Sequence, residues 1–199
     1  MTDQDGHLHL PIAARVRALE DRLISAGLTT DDELDAILSE LFGDASPVNG
    51  ARIVARAWTD SAFMTRLLAD GSAAAAELGF QTLRSGGTGF RLRAVANTPA
   101  QHNMVVCTLC SCYPISLLGP SPSWYKSLAY RSRAVRQPRT VLAEFGLVLR
   151  SDVDITVWDA SAETRYLVLP MRPAGTADLD EDELVGLVSR NGLIGTAAV

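Results

Sequence analysis

The sequence predicts an α+β protein, in which an N-terminal helical arm at residues 1–47 precedes a layered α-β-β-α domain at residues 48–199. Helical spacing of apolar residues dominates the start and the end of the chain, and strand-like alternation lies between them. The turn-rich segment GDASPVNG, residues 43–50, separates the two parts.

Two helices are predicted in the arm. Pro11 suits the opening turn of the first and Gly27 its end. The second begins with the capping box TDDE, in which Thr30 and Glu33 cap each other's backbone. Each helix carries one apolar face: Ile12, Val16, Leu19 and Leu23, then Leu34, Ile37, Leu38 and Leu41. Two short helices bury little apolar surface by themselves. Two interpretations therefore stay open: the helices pack against the core, or they form an arm that lies on a partner protein.

The domain is predicted to begin with helices and continue with strands. A helical block runs from about Ala51 to Leu78, with breaks near residues 59–60 and 70–71. The loop SGGTG, residues 85–89, follows no strand in a phosphate-binding pattern, so we give it no nucleotide role.

Strand-like alternation begins after that loop. Phe90 opens one strand, and MVV at residues 104–106 ends another. The segments VDITVW (153–158) and TRYLVLP (164–170) read as two strands joined by a polar turn. The acidic run DLDEDE, residues 178–183, is predicted to cap a last helix, since carboxylates are favoured in a first helical turn.

Composition and charge exclude several classes. A hydrophobic content of 47% is that of a globular protein, and no apolar run reaches the length of a membrane span. The formal net charge of -5 disfavours nucleic-acid binding. The polar, acidic N-terminus does not resemble a signal peptide, and three clustered cysteines indicate a reducing compartment. We therefore expect a cytoplasmic protein without membrane or nucleic-acid partners.

All three cysteines lie in VVCTLCSCYP, residues 105–114. A zinc site would need a fourth ligand, for which His102 is the nearest candidate, and a redox Cys-x-x-Cys pair lacks its usual setting. The close spacing in Cys110-Ser111-Cys112 presses the backbone against a bound ion. Deprotonated amides of Ser111 and Cys112 can then complete a planar set with two sulfurs. Such donors favour low-spin trivalent iron or cobalt with one position open.

The motif VCTLCSC resembles the metal-binding signature of the nitrile hydratase alpha subunit family. AWTDSAFMTRLLADG, PSWYKSLAYRSRAVRQPR and VWDASAETRYLVLPMRPAGT are similar to that family as well, so the resemblance covers roughly residues 12–195. It implies that Cys107 is an axial thiolate ligand, that Cys110 becomes a sulfinate and Cys112 a sulfenate. The amides of Ser111 and Cys112 are then ligands. Thr108 is typical of cobalt-type members, which implies one Co³⁺ per chain and disfavours iron.

The resemblance also implies an activity and a partner. The family hydrates nitriles to amides, with the oxygenated Cys110 and Cys112 at the catalytic centre and either a water or the sulfenate oxygen as nucleophile. A β-type subunit supplies arginines to the cysteine oxygens, which as paired anions need cationic donors. A run of basic residues follows the cysteine segment: Lys126, Arg131, Arg133, Arg136 and Arg139. Three interpretations are open for this run: a solvated face, a nucleic-acid surface or a contact with the partner.

One position departs from the family pattern. Many members carry Trp-Pro after the signature, with that Trp in the substrate pocket, whereas this chain has Ile115-Ser116. Thiocyanate hydrolase, which shares the signature, tends to carry Arg there. Ile115 therefore predicts room for a bulky, aromatic or heterocyclic nitrile. A thiocyanate hydrolase-type subunit and a non-catalytic, metal-carrying alpha-like chain are the alternatives.

Overall fold

The computed structural model describes residues 11–82, 89–110 and 112–199, without the side chains of residues 40–42. Most of the predicted SGGTG loop lies outside these residues. The chain divides into two compact units, one ending at Gly43 and the other covering Asp44–Val199. The division of roles between an arm and a catalytic domain stays a prediction.

The first unit contains the two predicted helices, α1 (Ile12–Ser25) and α2 (Asp31–Phe42). The capping box is confirmed, because the Thr30 hydroxyl accepts from the Glu33 N–H at 3.2 Å and the Thr30 N–H donates to the Glu33 carboxylate at 2.9 Å. No residue of α1 is buried, and Ile12 is 76% exposed. The helices of this unit are therefore held by local interactions, and their apolar faces remain largely exposed.

Three short helices open the second unit: α3 (Pro47–Thr59), α4 (Ser61–Ala69) and α5 (Gly71–Glu77). The predicted breaks are confirmed, because Asp60 and Asp70 each accept a hydrogen bond from a backbone N–H of the following helix. Helix α3 begins earlier than the pattern suggested, since Ser46 caps it and Pro47 fits its first turn.

Within the residues that the structure describes, four strands form two parallel pairs. They are β1 (Arg91–Ala96), β2 (Gln101–Val106), β3 (Asp154–Asp159) and β4 (Thr164–Leu169). Strand β1 pairs with β4, and β2 pairs with β3. The predicted strands at 153–158 and 164–170 are thus present, but each pairs with a strand far back in the chain. Since β2 and β3 are parallel, their carboxyl ends meet at one edge, with Val106 opposite Asp159.

Helical segments connect and cover these strands. They are α6 (Ile115–Leu118), a 3-10 turn (Ser123–Lys126), α7 (Leu128–Arg136), α8 (Pro138–Glu144), α9 (Glu181–Leu187) and α10 (Arg190–Ile194). The acidic run caps α9 as predicted, with Asp180 and Glu183 forming a second capping box. Gly195, after α10, has φ +84°, and a Cβ there would lie 2.0 Å from the Asn103 carbonyl oxygen, so only glycine fits this approach.

The core lies between the helices and the two strand pairs. Its largest fully buried side chains come from both kinds of element: Tyr125, Phe63, Ile53, Leu67, Leu92, Met104, Leu117, Leu118, Leu142, Leu167, Leu169 and Leu184. Within the described ranges, no helix has the length and apolar character that crossing a membrane requires. The mixed helix and strand architecture confirms the predicted α+β class.

Candidate metal centre

The cysteine segment leaves the carboxyl end of β2. Cys107 follows Val106 directly and is fully buried, Cys112 is 8% exposed, and Cys110 is exposed. We call residues 107–114, between β2 and α6, the metal loop. Its first residue is carried by a buried strand and its end by a buried helix turn, so the middle of the loop is the part that reaches the surface.

The three sulfurs converge. All three Sγ atoms lie within 4.8 Å of one another, with 3.4 Å from Cys107 to Cys110 and 2.9 Å from Cys110 to Cys112. Two thiolates about 2.3 Å from one ion would be ~3.3 Å apart at a right angle and ~3.8 Å apart in a tetrahedron. The Cys107–Cys110 distance is close to the right-angle value, and the Cys110–Cys112 distance is shorter than both, so these two pairs are near enough to occupy adjacent positions on one ion. Ser111, the other predicted ligand, lies outside the described residues.

His102 does not join the cluster. It lies in β2 with its Nε2 2.8 Å from the Gly195 carbonyl oxygen, to which it donates, and its Nδ1 3.3 Å from the Asn97 amide nitrogen. Burial lowers the pKa of His102, which keeps the ring neutral. Both ring nitrogens thus have partners away from the sulfurs, and the zinc alternative loses its nearest fourth ligand.

Side chains from two other elements hold the beginning of the loop. The Asp159 carboxylate, at the end of β3, accepts from the Thr108 N–H at 2.9 Å and from the Thr108 hydroxyl at 2.5 Å. The Arg131 guanidinium, in α7, donates to the carbonyls of Cys107 and Thr108 at 2.9 and 2.5 Å. These charge-assisted bonds orient the backbone on both sides of the first thiol.

Buried tyrosines donate hydrogen bonds to the backbone at both ends of the cysteine segment. The Tyr125 hydroxyl donates to the Cys112 carbonyl at 3.0 Å, and the Tyr130 hydroxyl donates to the Val105 carbonyl at 2.6 Å. The Tyr113 and Tyr125 rings meet edge to face, with their centroids 5.0 Å apart. Burial raises the pKa of all three phenols above the usual range, so they remain neutral and can act as donors.

Burial dominates the electrostatics of Cys112. It raises the pKa of this thiol to about 12, and the hydrogen bond with Cys110 acts in the same direction, while the positive charge of Arg165 lowers it. A thiol in this environment is protonated at neutral pH, so a metal would have to displace its proton on binding. Arg165, in β4, is a neighbour that the sequence analysis did not identify.

The predicted basic run does not form one solvated face. Arg131 anchors the metal loop, Arg133 pairs with Glu144, and Arg139 donates to backbone carbonyls before β3. Beside Thr108 lies a cavity of about 490 Å³, lined by Thr108, Leu128, Arg131, Ser132, Val135 and Arg136. Leu128, which lines this cavity, is 77% exposed, and Leu109, which follows Thr108 in the chain, is 88% exposed. Apolar side chains exposed beside arginines are typical of a surface that binds another protein.

Ile115 begins α6 and packs, half-buried, against the core. It is not among the residues that line the cavity beside Thr108, and its place in a substrate pocket stays a prediction. Sequence reasoning also missed Asp159 and Tyr125. Asp159 lies just after a strand that the sequence predicts, but only the pairing of β3 with β2 brings it to the cysteine segment, and that pairing was not predicted. Tyr125 and Arg165 carried no comparable signal.

Comparison with known proteins gives a consistent result. The family model "Nitrile hydratase, alpha chain" matches residues 10–197. The low-molecular weight cobalt-containing nitrile hydratase subunit alpha of Rhodococcus rhodochrous is 51% identical, over 94% of this chain and 88% of that protein. The cobalt-containing nitrile hydratase subunit alpha of Pseudonocardia thermophila is 46% identical, over 96% and 92%. The gamma subunit of thiocyanate hydrolase from Thiobacillus thioparus is 43% identical, over 94% and 78%.

Solved structures share the fold. A chain of a mutated Fe-type nitrile hydratase from Comamonas testosteroni superposes with a TM-score of 0.85 at 44% identity, covering 94% of this chain and 89% of that one. A recombinant thiocyanate hydrolase with partially modified cobalt centres gives 0.85 at 40% identity, covering 95% and 90%. Both match almost the whole length of the chain.

Proposed function

The chain belongs to the nitrile hydratase alpha-chain family, and we propose that it is the metal-carrying subunit of an enzyme that hydrates a nitrile to the amide. The observation that carries the proposal is the convergence of three sulfurs within 4.8 Å at the end of β2. In a structural metal site, protein ligands fill every coordination position of the ion. A site with fewer protein ligands keeps a position open for substrate.

Cobalt is the proposed metal, one ion per chain. The two cobalt-containing relatives above support it, as does Thr108 in the signature, although an Fe-type structure also matches. Cys107, Cys110 and Cys112 would hold the ion with the amides of Ser111 and Cys112. Trivalent cobalt would supply Lewis acidity toward a nitrile nitrogen and an attacking water. In the active form Cys110 would carry two added oxygens and Cys112 one.

The chain's own side chains would orient these donors. Asp159 and Arg131 hold the backbone of Cys107 and Thr108, so the first thiol is fixed before a metal arrives. Tyr125 holds the carbonyl of Cys112 at the other end. A loop held at both ends loses little conformational entropy on binding an ion, and it keeps the reacting groups in one arrangement.

A β-type partner is part of the proposal. Cys110 and Leu109 are exposed, and so is Leu128, which lines the cavity at Thr108. A partner seated there would cover the centre, exclude bulk water and bring donors to the cysteine oxygens. We expect the assembly in the cytoplasm, where reduced thiols are available for the metal.

Thiocyanate hydrolysis is the second candidate, because the gamma subunit of thiocyanate hydrolase is 43% identical to this chain. The two activities give different products, an amide from a nitrile and carbonyl sulfide from thiocyanate. A metal carrier without turnover would give neither. Product analysis on the same preparation therefore separates the three.

The decisive experiment is to co-express the chain with a β-type partner in cobalt-containing medium. We expect about one cobalt per alpha chain, two added oxygens on Cys110 and one on Cys112 by mass spectrometry of the intact chain and its peptides, and conversion of nitrile to amide. The chain alone, as a control, should turn over negligibly. Zinc on three unmodified thiolates in a fully active complex would refute the proposal.

A further inference from the structure

His102 is a buried titratable side chain that the proposed chemistry does not use. The neighbouring Asn97 fixes its tautomer. The Asn97 Oδ1 accepts from the Asn103 N–H at 2.8 Å and from the Asn103 side-chain amide at 3.1 Å, so the Asn97 amide nitrogen is the atom that lies 3.3 Å from the His102 Nδ1. That nitrogen is a donor, and Nδ1 must therefore be the unprotonated acceptor. The ring's single proton is then on Nε2, which donates to the Gly195 carbonyl at 2.8 Å.

The ring joins two parts of the chain that are far apart in sequence. Gly195 follows α10, and its backbone lies so close to β2 that a Cβ there would clash with the Asn103 carbonyl. The hydrogen bond from His102 therefore fastens the segment 190–199 to the strand that leads into the metal loop. We call Asn97, His102 and Gly195 the histidine latch.

A second proton would disrupt the histidine latch. It can bind only at Nδ1, where two donors would then face each other. Asn97 cannot turn its oxygen toward the ring without withdrawing that oxygen from both groups of Asn103. Water can deliver the proton, because His102 lines a cavity of about 400 Å³. The latch is therefore compatible with the neutral ring and not with the charged one.

The charged groups on the surrounding elements do not offset this effect. The cavity wall carries one group of each sign, the Arg172 guanidinium and the carboxylate of Val199. In β3, Asp154 is exposed, and in α10 Arg190 donates to a backbone carbonyl before the 3-10 turn. The segments 96–98 and 147–149 contain no charged residue. Both hydrogen-bond partners of the His102 ring are uncharged.

We propose that the histidine latch is a pH-sensitive device, in which the neutral His102 ring holds the segment after α10 against β2 and the protonated ring releases it. Burial lowers the pKa of His102, and the hydrogen bond to Gly195 opposes that shift. The unfolded chain therefore takes up this proton more readily than the folded chain does. The stability that the latch contributes is present above the ordinary histidine pKa of about 6.5, and it is lost as the pH falls below that value.

The test uses the full chain with His7→Gln and His9→Gln, so that His102 is the one histidine left. Imidazole NMR signals then report the tautomer and the pKa of His102 directly. Urea unfolding and amide hydrogen exchange of the segment 190–199 are followed from about pH 7.5 to about pH 5.5 in this background, in His102→Gln and in Asn97→Asp. His102→Gln keeps a donor for Gly195 but cannot be charged, whereas Asn97→Asp places an acceptor opposite Nδ1 and favours the charged ring.

We expect the background chain to show the Nε2–H tautomer and a His102 pKa below the ordinary value. Below about pH 6.5 its unfolding equilibrium constant should rise about threefold to tenfold more per pH unit than that of His102→Gln, with a parallel loss of exchange protection in the segment 190–199. Asn97→Asp should raise the pKa of His102 and remove this loss. An Nδ1–H tautomer, or the same pH dependence with and without His102, overturns the latch. If a variant fails to fold, the NMR titration decides, because a pKa at or above the ordinary value contradicts the proposal.

Discussion

The metal loop and the N-terminal unit are built in opposite ways. The metal loop is held by side chains that come from distant parts of the chain: Asp159 in β3, Arg131 in α7 and Tyr125 in the 3-10 turn. In the N-terminal unit the polar contacts are local, with the capping box at Thr30 and the ion pairs of Arg17. Two of the three thiols are buried, whereas α1 buries no residue.

The difference shows what each region depends on. Local caps and surface ion pairs are worth little, so two isolated helices of this length are marginal, and their exposed apolar faces are suited to packing against another protein. The described residues of the metal loop have no regular secondary structure, and their conformation depends on the folded domain around them. We therefore expect substitutions at the anchors of the loop to act on the metal centre, and substitutions in the arm to act on local stability.

Asp159→Ala should have the largest effect. It removes the acceptor of both the Thr108 N–H and the Thr108 hydroxyl, and bonds to a charged group are worth about 1.5–3 kcal/mol each when shielded from water. Because Asp159 is largely exposed, we expect a loss at the lower end of this energy range. That loss corresponds to a fall of about tenfold in kcat/KM and in cobalt affinity.

Steady-state kinetics and cobalt titration of the complex measure this effect. Asp152→Ala is the matched control, since Asp152 pairs with Arg150 at an exposed site. Equal, small effects of the two variants would mean that the carboxylate at the end of β3 does not organise the loop.

Tyr125→Phe should destabilise the domain. It leaves the buried Cys112 carbonyl without its donor and keeps the ring packing against Tyr113, so the loss is about 1–2 kcal/mol in the free energy of unfolding, or ~2–8 °C in Tm. Denaturant and thermal unfolding of the metal-free chain measure it. Tyr166→Phe, on a ring stacked over Trp158, is the control and should change stability by less than about 0.5 kcal/mol. A parental Tm for Tyr125→Phe would mean that the hydrogen bond from Tyr125 to the Cys112 carbonyl does not stabilise the domain.

Ile115→Trp tests whether the end of the metal loop reaches the substrate. If Ile115 borders the pocket, the larger ring should lower kcat/KM for a bulky aromatic nitrile relative to a small aliphatic one, by about fivefold to tenfold in their ratio. Both nitriles are assayed on the same complex, with Ile115→Leu as the volume-matched control. An unchanged ratio would mean that Ile115 packs against the core, as the structure describes, and does not border the substrate.

Thr30→Ala should have the smallest effect, confined to the arm. Loss of the capping hydroxyl costs about 1 kcal/mol of α2 stability, so amide hydrogen exchange in α2 should accelerate about fivefold while kcat stays at the parental value. Thr30→Ser keeps the hydroxyl and should exchange as the parent does. A fall in kcat with Thr30→Ala, restored by Thr30→Ser, would tie the arm to the metal centre and break the contrast between the two regions.

Much of the local structure could be predicted from the sequence because its causes are local. Thr30 and Glu33 cap one helix from within four residues, and Asp60 and Asp70 stop and restart the helices around them. The three thiols belong to one short segment, so their convergence follows from their spacing. The resemblance to the family adds the expected ligands, of which Cys107, Cys110 and Cys112 come together, while Ser111 lies outside the described residues.

Tertiary structure alone decided the pairing of the strands and the surroundings of the thiols. Strands β3 and β4 follow each other in the chain, yet they pair with β2 and β1, because a strand's pairing depends on how its side chains pack in the whole fold and not on its local pattern alone. That pairing carries Asp159 to Thr108, and β4 carries Arg165 within electrostatic reach of Cys112. The sequence determined which atoms can bind a metal. Contacts between residues far apart in the chain determined which side chains hold the thiols in place, which charges act on them and which side chains bury them.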